Sequence, residues 1–193
     1  MAIRHLRPEE EKIGFLDIET SNLVADFGII LTWAIKDGRG KTIYEDVITL
    51  KDIQTYPPGQ EDTRIVKSLI VAMHHFDRLV TYYGTRFDVP YIRTRAMTDG
   101  VKFPDYGAIL HTDLYYVVRG RFKLSSNRLE NANRVLLGKT QKTRVDSKYW
   151  RGGVRGDQDS LKYILDHNRK DVLDLEKLFH AVKRFAKHTR RSL

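Results

Sequence analysis

Polar and apolar positions change period along this chain, and the changes mark its elements. Around Ile13-Gly14-Phe15-Leu16-Asp17-Ile18-Glu19-Thr20 the pattern predicts a strand at about residues 12 to 18. A second strand is predicted over Gly28 to Lys36 and a third over Thr42 to Leu50, separated by the turn-forming Asp37-Gly38-Arg39-Gly40. Together they make a three-strand meander. Tyr56-Pro57-Pro58-Gly59 breaks the chain, and Glu61 to Phe76 then carries apolar residues at 65, 66, 69, 70, 73 and 76, a helical spacing. Arg78 to Tyr82 reads as a short strand and Gly84-Thr85-Arg86 as a turn. Phe87-Asp88-Val89-Pro90 opens the next helix, with proline tolerated in its first turn. An extended run ending at His111-Thr112-Asp113 leads into Leu114 to Val118. Ser126 to Leu137 is predicted as a helix with Ser125 or Ser126 as cap and Gly138 as stop. Residues 139 to 156 read as the longest loop, Gln158 to Ala186 as the final helix, and 187 to 193 as a basic tail.

Three strands followed by alternating helices and short strands predict an α/β fold, a mixed sheet with helices on its faces. At 193 residues the chain is expected to be one domain, with a core over about 12 to 186. No apolar run approaches the roughly 20 residues that span a bilayer, and the N-terminus lacks the apolar segment of a signal peptide. A cytoplasmic protein without a membrane partner is the expectation. The chain contains no cysteine, which excludes disulfides and thiolate metal sites. Any metal must be held by oxygen or by histidine.

The formal net charge is +9, which favours polyanionic partners. Lys139, Lys142, Arg144, Lys148, Arg151 and Arg155 surround Tyr149-Trp150, and a second basic cluster closes the chain at Lys183, Arg184, Lys187, Arg190 and Arg191. Trp33 and Tyr115-Tyr116 sit in apolar-periodic segments and read as core.

Asp17 and Glu19 stand at alternate positions of a strand otherwise written for burial, so both project from one face. Such a pair either points to water or to a cation of the protein, or it closes on a divalent metal. Asp88, at a strand-to-helix transition, is either a first-turn acid favoured by the helix dipole or a functional group at a place where α/β folds keep them. In the last helix Leu161, Ile164, Leu165, Val172, Leu175, Phe179 and Val182 define an apolar face, and Asp171 falls roughly 60° from its centre at about 100° per residue. His167 lies one turn earlier on the same flank, a spacing equally compatible with a plain helix ion pair. Asp166 points away, and Asp174 is intermediate.

Taken in order, Phe15-Leu16-Asp17-Ile18-Glu19-Thr20, Gly84-Thr85-Arg86-Phe87-Asp88-Val89-Pro90-Tyr91-Ile92 and His167-Asn168-Arg169-Lys170-Asp171-Val172 resemble the DEDD (DnaQ-like) superfamily of 3′→5′ exonucleases. His111-Thr112-Asp113-Leu114, Arg128-Leu129-Glu130 and Leu136-Leu137-Gly138-Lys139 look like the connecting region of the family-B DNA polymerase proofreading domain and its free-standing YprB-like relatives. The resemblance covers about residues 12 to 182 and implies a ribonuclease H-like sheet of five strands, the meander plus two parallel strands. It implies two divalent cations, Mg²⁺ or Mn²⁺, with Asp17, Glu19, Asp88 and Asp171 as ligands and His167 as the group that orients or deprotonates water. His167 stands four residues before Asp171, which combines the residue type of one DEDD subclass with the spacing of another. Tyr83 replaces the asparagine that the polymerase-type motif carries there.

The implied substrate is the 3′ end of single-stranded DNA, with RNA as the alternative and a polymerase as a partner acting in trans. Thr20, Tyr83 and Phe87 would touch the nucleotide, and Arg144, Lys148, Tyr149, Trp150 and Arg151 are the candidate strand contacts from the basic segment. A nucleic-acid-binding or polymerase-accessory module without chemistry is the competing class.

Overall fold

A computed structural model describes residues 11–141, 146–186 and 192–193. The strands are β1 (Ile13–Thr20), β2 (Ile30–Asp37), β3 (Ile43–Val47), β4 (Arg78–Thr81) and β5 (Leu110–Asp113). The helices are α1 (Leu50–Thr55), α2 (Thr63–Met73), α3 (Asp88–Thr98), α4 (Leu114–Arg121), α5 (Leu129–Leu137), α6 (Ser147–Val154) and α7 (Gln158–Val182). The five strands form one sheet in the order β3-β2-β1-β4-β5, antiparallel across the meander and parallel from β1 through β4 to β5. This is the expected α/β architecture.

The period of two in β1 divides the core. Leu16 and Ile18 face one apolar cluster, shared with Ile65 and Leu69 of α2 and Ile92 of α3. Phe15 faces the other, with Val118 of α4, Ala132 of α5 and Val172, Leu175 and Leu178 of α7. Helix α7 is 25 residues long, roughly 37 Å, and lies across β1 and β2. Among the described residues no helix is long and apolar enough to cross a membrane.

Several elements depart from the sequence pattern for local reasons. The third strand stops at Val47 rather than Leu50, because Thr49 and Asp52 form a reciprocal capping box that starts α1. Helix α5 starts at Leu129 behind Arg128, not at a serine cap; the Ser126 hydroxyl instead accepts from Arg128 N at 3.3 Å. The last helix gives way at Lys183 to a tight turn ending at Phe185. Within the stretch expected to be a loop lies α6. Gly152 and Gly153 read as breakers, but here they let α6 approach α7: a Cβ at 152 would come within 2.1 Å of Ser160 Oγ, and one at 153 within 2.8 Å of Ile164 Cδ1.

Tyr115 and Tyr116 also depart from expectation. Helix α4 buries Leu114 and Val118, one turn apart, and packs Val117 against the same core, so Tyr115 and Tyr116 are left on its outer side. Tyr115 is half-buried and Tyr116 is exposed, whereas Trp33 is buried and donates to Ile65 O at 3.1 Å.

Candidate metal centre

One face of β1 changes from apolar to acidic over five residues while α7 runs across it. Phe15 meets Phe179 edge to face at 5.4 Å. Two residues on, Asp17 Oδ2 accepts from Asn168 Nδ2 at 2.6 Å. Two further, Glu19 Oε1 lies 3.9 Å from His167 Nε2. The strand period of two and the helical turn thus bring Asp17, Glu19, His167 and Asn168 together. Asp171 is buried one turn beyond His167, with Oδ2 3.8 Å from the same Nε2.

Asp88 enters from the other side of β1. The parallel ladder to β4 ends at Phe15↔Val80. Beyond it, Ile18 N donates to Asp88 Oδ1 at 3.2 Å. Asp88 is the first residue of α3 and is buried. Burial pushes its carboxyl up to about 7, and the negative charges of Asp113 and Asp171 act in the same direction; hydrogen bonds from its own N–H and from Ile18 oppose them.

Asp113 organises the neighbouring turn. Its carboxylate accepts from Tyr83 N at 2.8 Å and Thr85 N at 2.9 Å, and it caps α4 through Tyr115 N at 3.0 Å. Tyr83 is held at φ 68°, the left-handed region that a bulky side chain seldom adopts. Phe87 precedes α3, half-buried against Tyr91.

The donor set suits a hard divalent cation. Glu19, His167 and Asp171 each present a ligand atom within 4.8 Å of the others, the separation expected of oxygen and nitrogen donors around one ion at roughly 2.0 to 2.4 Å. Asp17 and Asp88 bring two more carboxylates to the same strand end.

The other candidate residues lie as follows. Thr20 is buried, and its carbonyl accepts from Trp150 Nε1 at 3.0 Å. The Trp150 ring also meets His167 edge-on at 6.5 Å. Tyr149 stacks on Tyr163 at 3.8 Å, with the Lys148 ammonium 5.0 Å from its ring centroid. Both aromatics of α6 pack against the core, while Lys148 and Arg151 are exposed. Arg144 lies outside the described residues.

Asp174 is a structural anchor, accepting from Thr140 Oγ1 and Gln141 N, both at 2.8 Å. Asp166 pairs with Arg169, which also grips Glu45. Asn168 and Asp113 hold the site together, and the sequence pattern does not single them out. Asn168 is fully buried, and Thr32 donates to its Oδ1 at 3.4 Å, which orients the amide toward Asp17. In the sequence its signal is its place beside His167 in the last helix.

A family model described as RNase_H superfamily matches residues 14–183, from β1 into the turn after α7. The chain belongs to the RNase_H superfamily. Its similarity extends to the protein YprB of Bacillus subtilis (strain 168), 29% identical over 186 residues; the match takes in 88% of this chain and 41% of YprB. The fold is that of part of the family B DNA polymerase from the hyperthermophilic archaeon Pyrobaculum calidifontis, with a TM-score of 0.69 at 17% identity over 88% of this chain and 24% of the polymerase. The stretch matched by the RNase_H superfamily contains Asp17, Glu19, Asp88, His167 and Asp171.

Proposed function

We propose that this protein is a metal-dependent 3′→5′ exonuclease of the DEDD type that hydrolyses phosphodiester bonds at the 3′ ends of single-stranded DNA. The observation that carries the reading is the convergence of Asp17 and Glu19 from β1, Asp88 from α3, and His167 and Asp171 from α7 at one strand end. Family membership and the basic balance of the chain support it.

In this reading Asp17, Glu19, Asp88 and Asp171 hold two divalent cations, Mg²⁺ or Mn²⁺, which when bound supply an activated water and neutralise charge on the phosphate. His167 Nε2, between Glu19 and Asp171, takes the proton of the attacking water. Asn168 keeps Asp17 in one rotamer through its amide. The bond from phosphorus to the 3′ oxygen breaks and that oxygen takes a proton from solvent, releasing a nucleoside 5′-monophosphate and leaving a 3′-hydroxyl on the shortened strand. Lys148 and Arg151, and Arg144 from the segment before α6, would contact the phosphates farther along. Trp150 would act by bracing Thr20 and His167, and Tyr149 by docking α6. Hydrolysis of RNA by the same residues is the alternative.

The test is degradation of 3′- and 5′-labelled single-stranded DNA and RNA by EDTA-treated protein resupplied with Mg²⁺ or Mn²⁺, beside Asp17→Ala. Stepwise loss from the 3′ end, absent in EDTA and in the variant, is expected. No metal-dependent degradation of either polymer would remove the enzymatic reading.

A further inference from the structure

Three tyrosine rings gather at the surface beside the acid cluster without joining either apolar core. Tyr83 meets Tyr115 edge to face at 4.7 Å, and Tyr115 meets Tyr116 at 5.2 Å. Tyr83 is 44% exposed and Tyr116 39%. Arg86 interacts electrostatically with Tyr116 and Tyr83, and Arg119 Nη1 lies 3.5 Å from Tyr115 Oη. Asp113 fixes the group in place, since its one carboxylate binds the backbone at Tyr83, Thr85 and Tyr115.

That arrangement is costly for a surface with no task. A tyrosine in the left-handed backbone region is strained, and a ring outside the core gains little burial to offset it. Perpendicular packing leaves ring faces open for stacking, and the two guanidiniums beside them match phosphate. Asp113, which binds the backbone of Tyr83 and Tyr115, also acts electrostatically on Asp88, so the rings begin at the edge of the acid cluster.

We propose that Tyr83, Tyr115 and Tyr116, flanked by Arg86 and Arg119, form a stacking platform for the bases of one nucleic-acid strand running from the acid cluster. The platform rests on the exonuclease reading for its substrate class and adds the surface along which the strand leaves the site. A single strand is the occupant because only unpaired bases present open π-faces, while the guanidiniums take the phosphates between them. Stacking of this kind is sequence-tolerant and follows the exposed side of α4.

The test is fluorescence anisotropy with a fluorescein-labelled single-stranded DNA dodecamer, using Asp17→Ala protein so that the probe stays intact. Adding Arg86→Ala and Tyr116→Ala to that background should raise Kd about tenfold or more. Tyr116→Phe should change it by less than about twofold, because the ring remains. Tyr106→Ala, which removes a tyrosine 89% exposed before the opposite end of β5, should leave Kd unchanged. A duplex of the same length should bind more weakly than the single strand.

Binding by the parent that Arg86→Ala/Tyr116→Ala leaves unmoved would overturn the platform alone. Equal losses for duplex and single strand would overturn the single-strand assignment. A parent that neither binds nor, with Asp17 restored, cleaves DNA or RNA would overturn the exonuclease reading and the platform together.

Discussion

Asp62 and Asp88 are both carboxylates buried in the same protein, 0% and 4% exposed, and burial raises the pKa of both. At Asp62 the chain supplies its own counter-charge: Arg95 Nη2 stands 2.5 Å from Oδ1, Nε stands 3.0 Å from Oδ2, and Ile30 N adds a third bond at 2.7 Å. These contacts oppose the effect of burial. At Asp88 the chain adds more negative charge, because Asp113 and Asp171 act with burial and the opposing help comes from backbone N–H groups. A closed ion pair serves the fold, whereas like charge accumulated at a strand end is charge that a bound cation would neutralise.

Substitution should separate the two sites, most sharply in activity. Asp88→Asn is expected to lower the metal-dependent rate by at least about a hundredfold, the upper end of what even a ligand-supporting residue costs. In the nuclease assay Asp62→Asn, compared well below its melting temperature, should keep its rate within a few-fold. Stability should move the other way. Asp62→Asn leaves Arg95 buried without its bidentate partner and should cost about 3 kcal/mol in urea unfolding. Asp88→Asn, measured in EDTA at pH 8, should gain about 2 kcal/mol by removing a buried charge.

The pH dependence follows from the same group. The unfolded chain gives up this proton near 3.8 and the folded chain near about 7. Protonation of Asp88 therefore favours the fold fully below pH 3.8, and that contribution is lost as pH rises through about 7. Thermal melts in EDTA from pH 5 to 8 should show a decline that Asp88→Asn flattens. Added Mn²⁺ should raise Tm more at pH 8 than at pH 6, because at the lower pH the ion must displace a proton.

Smaller effects test the supports. Asn168→Ala should weaken Mn²⁺ binding, read by calorimetry, by about ten- to a hundredfold, since Asp17 loses the amide that orients it. Trp150→Phe should cost about 1 kcal/mol in urea unfolding through the lost bond to Thr20 O.

The residues readable from sequence are those whose placement follows from local period. Alternation in β1 put Asp17 and Glu19 on one face, and the helical angle of Asp171 brought it to the border of the apolar stripe, where the structure buries it. The meander and both parallel strands were readable for the same reason. Long-range contacts were not. Asn168 reaches Asp17 across 151 positions, and Asp113 binds Tyr83 across 30, so neither has a local pattern. Helix α6 hid behind two glycines whose reason is close contact with α7. The tyrosines of α4 looked apolar in sequence because Leu114 and Val118 around them are buried.

Calorimetric titration of Mn²⁺ into EDTA-stripped protein at pH 8 asks whether the acids around Asp88 are a cation site. Saturable binding near two ions per chain, reduced to background in Asp17→Ala and Asp171→Ala and retained in Asp62→Asn, is the predicted result. Heats that do not saturate, or saturable binding that persists unchanged in both Asp17→Ala and Asp171→Ala, would contradict it.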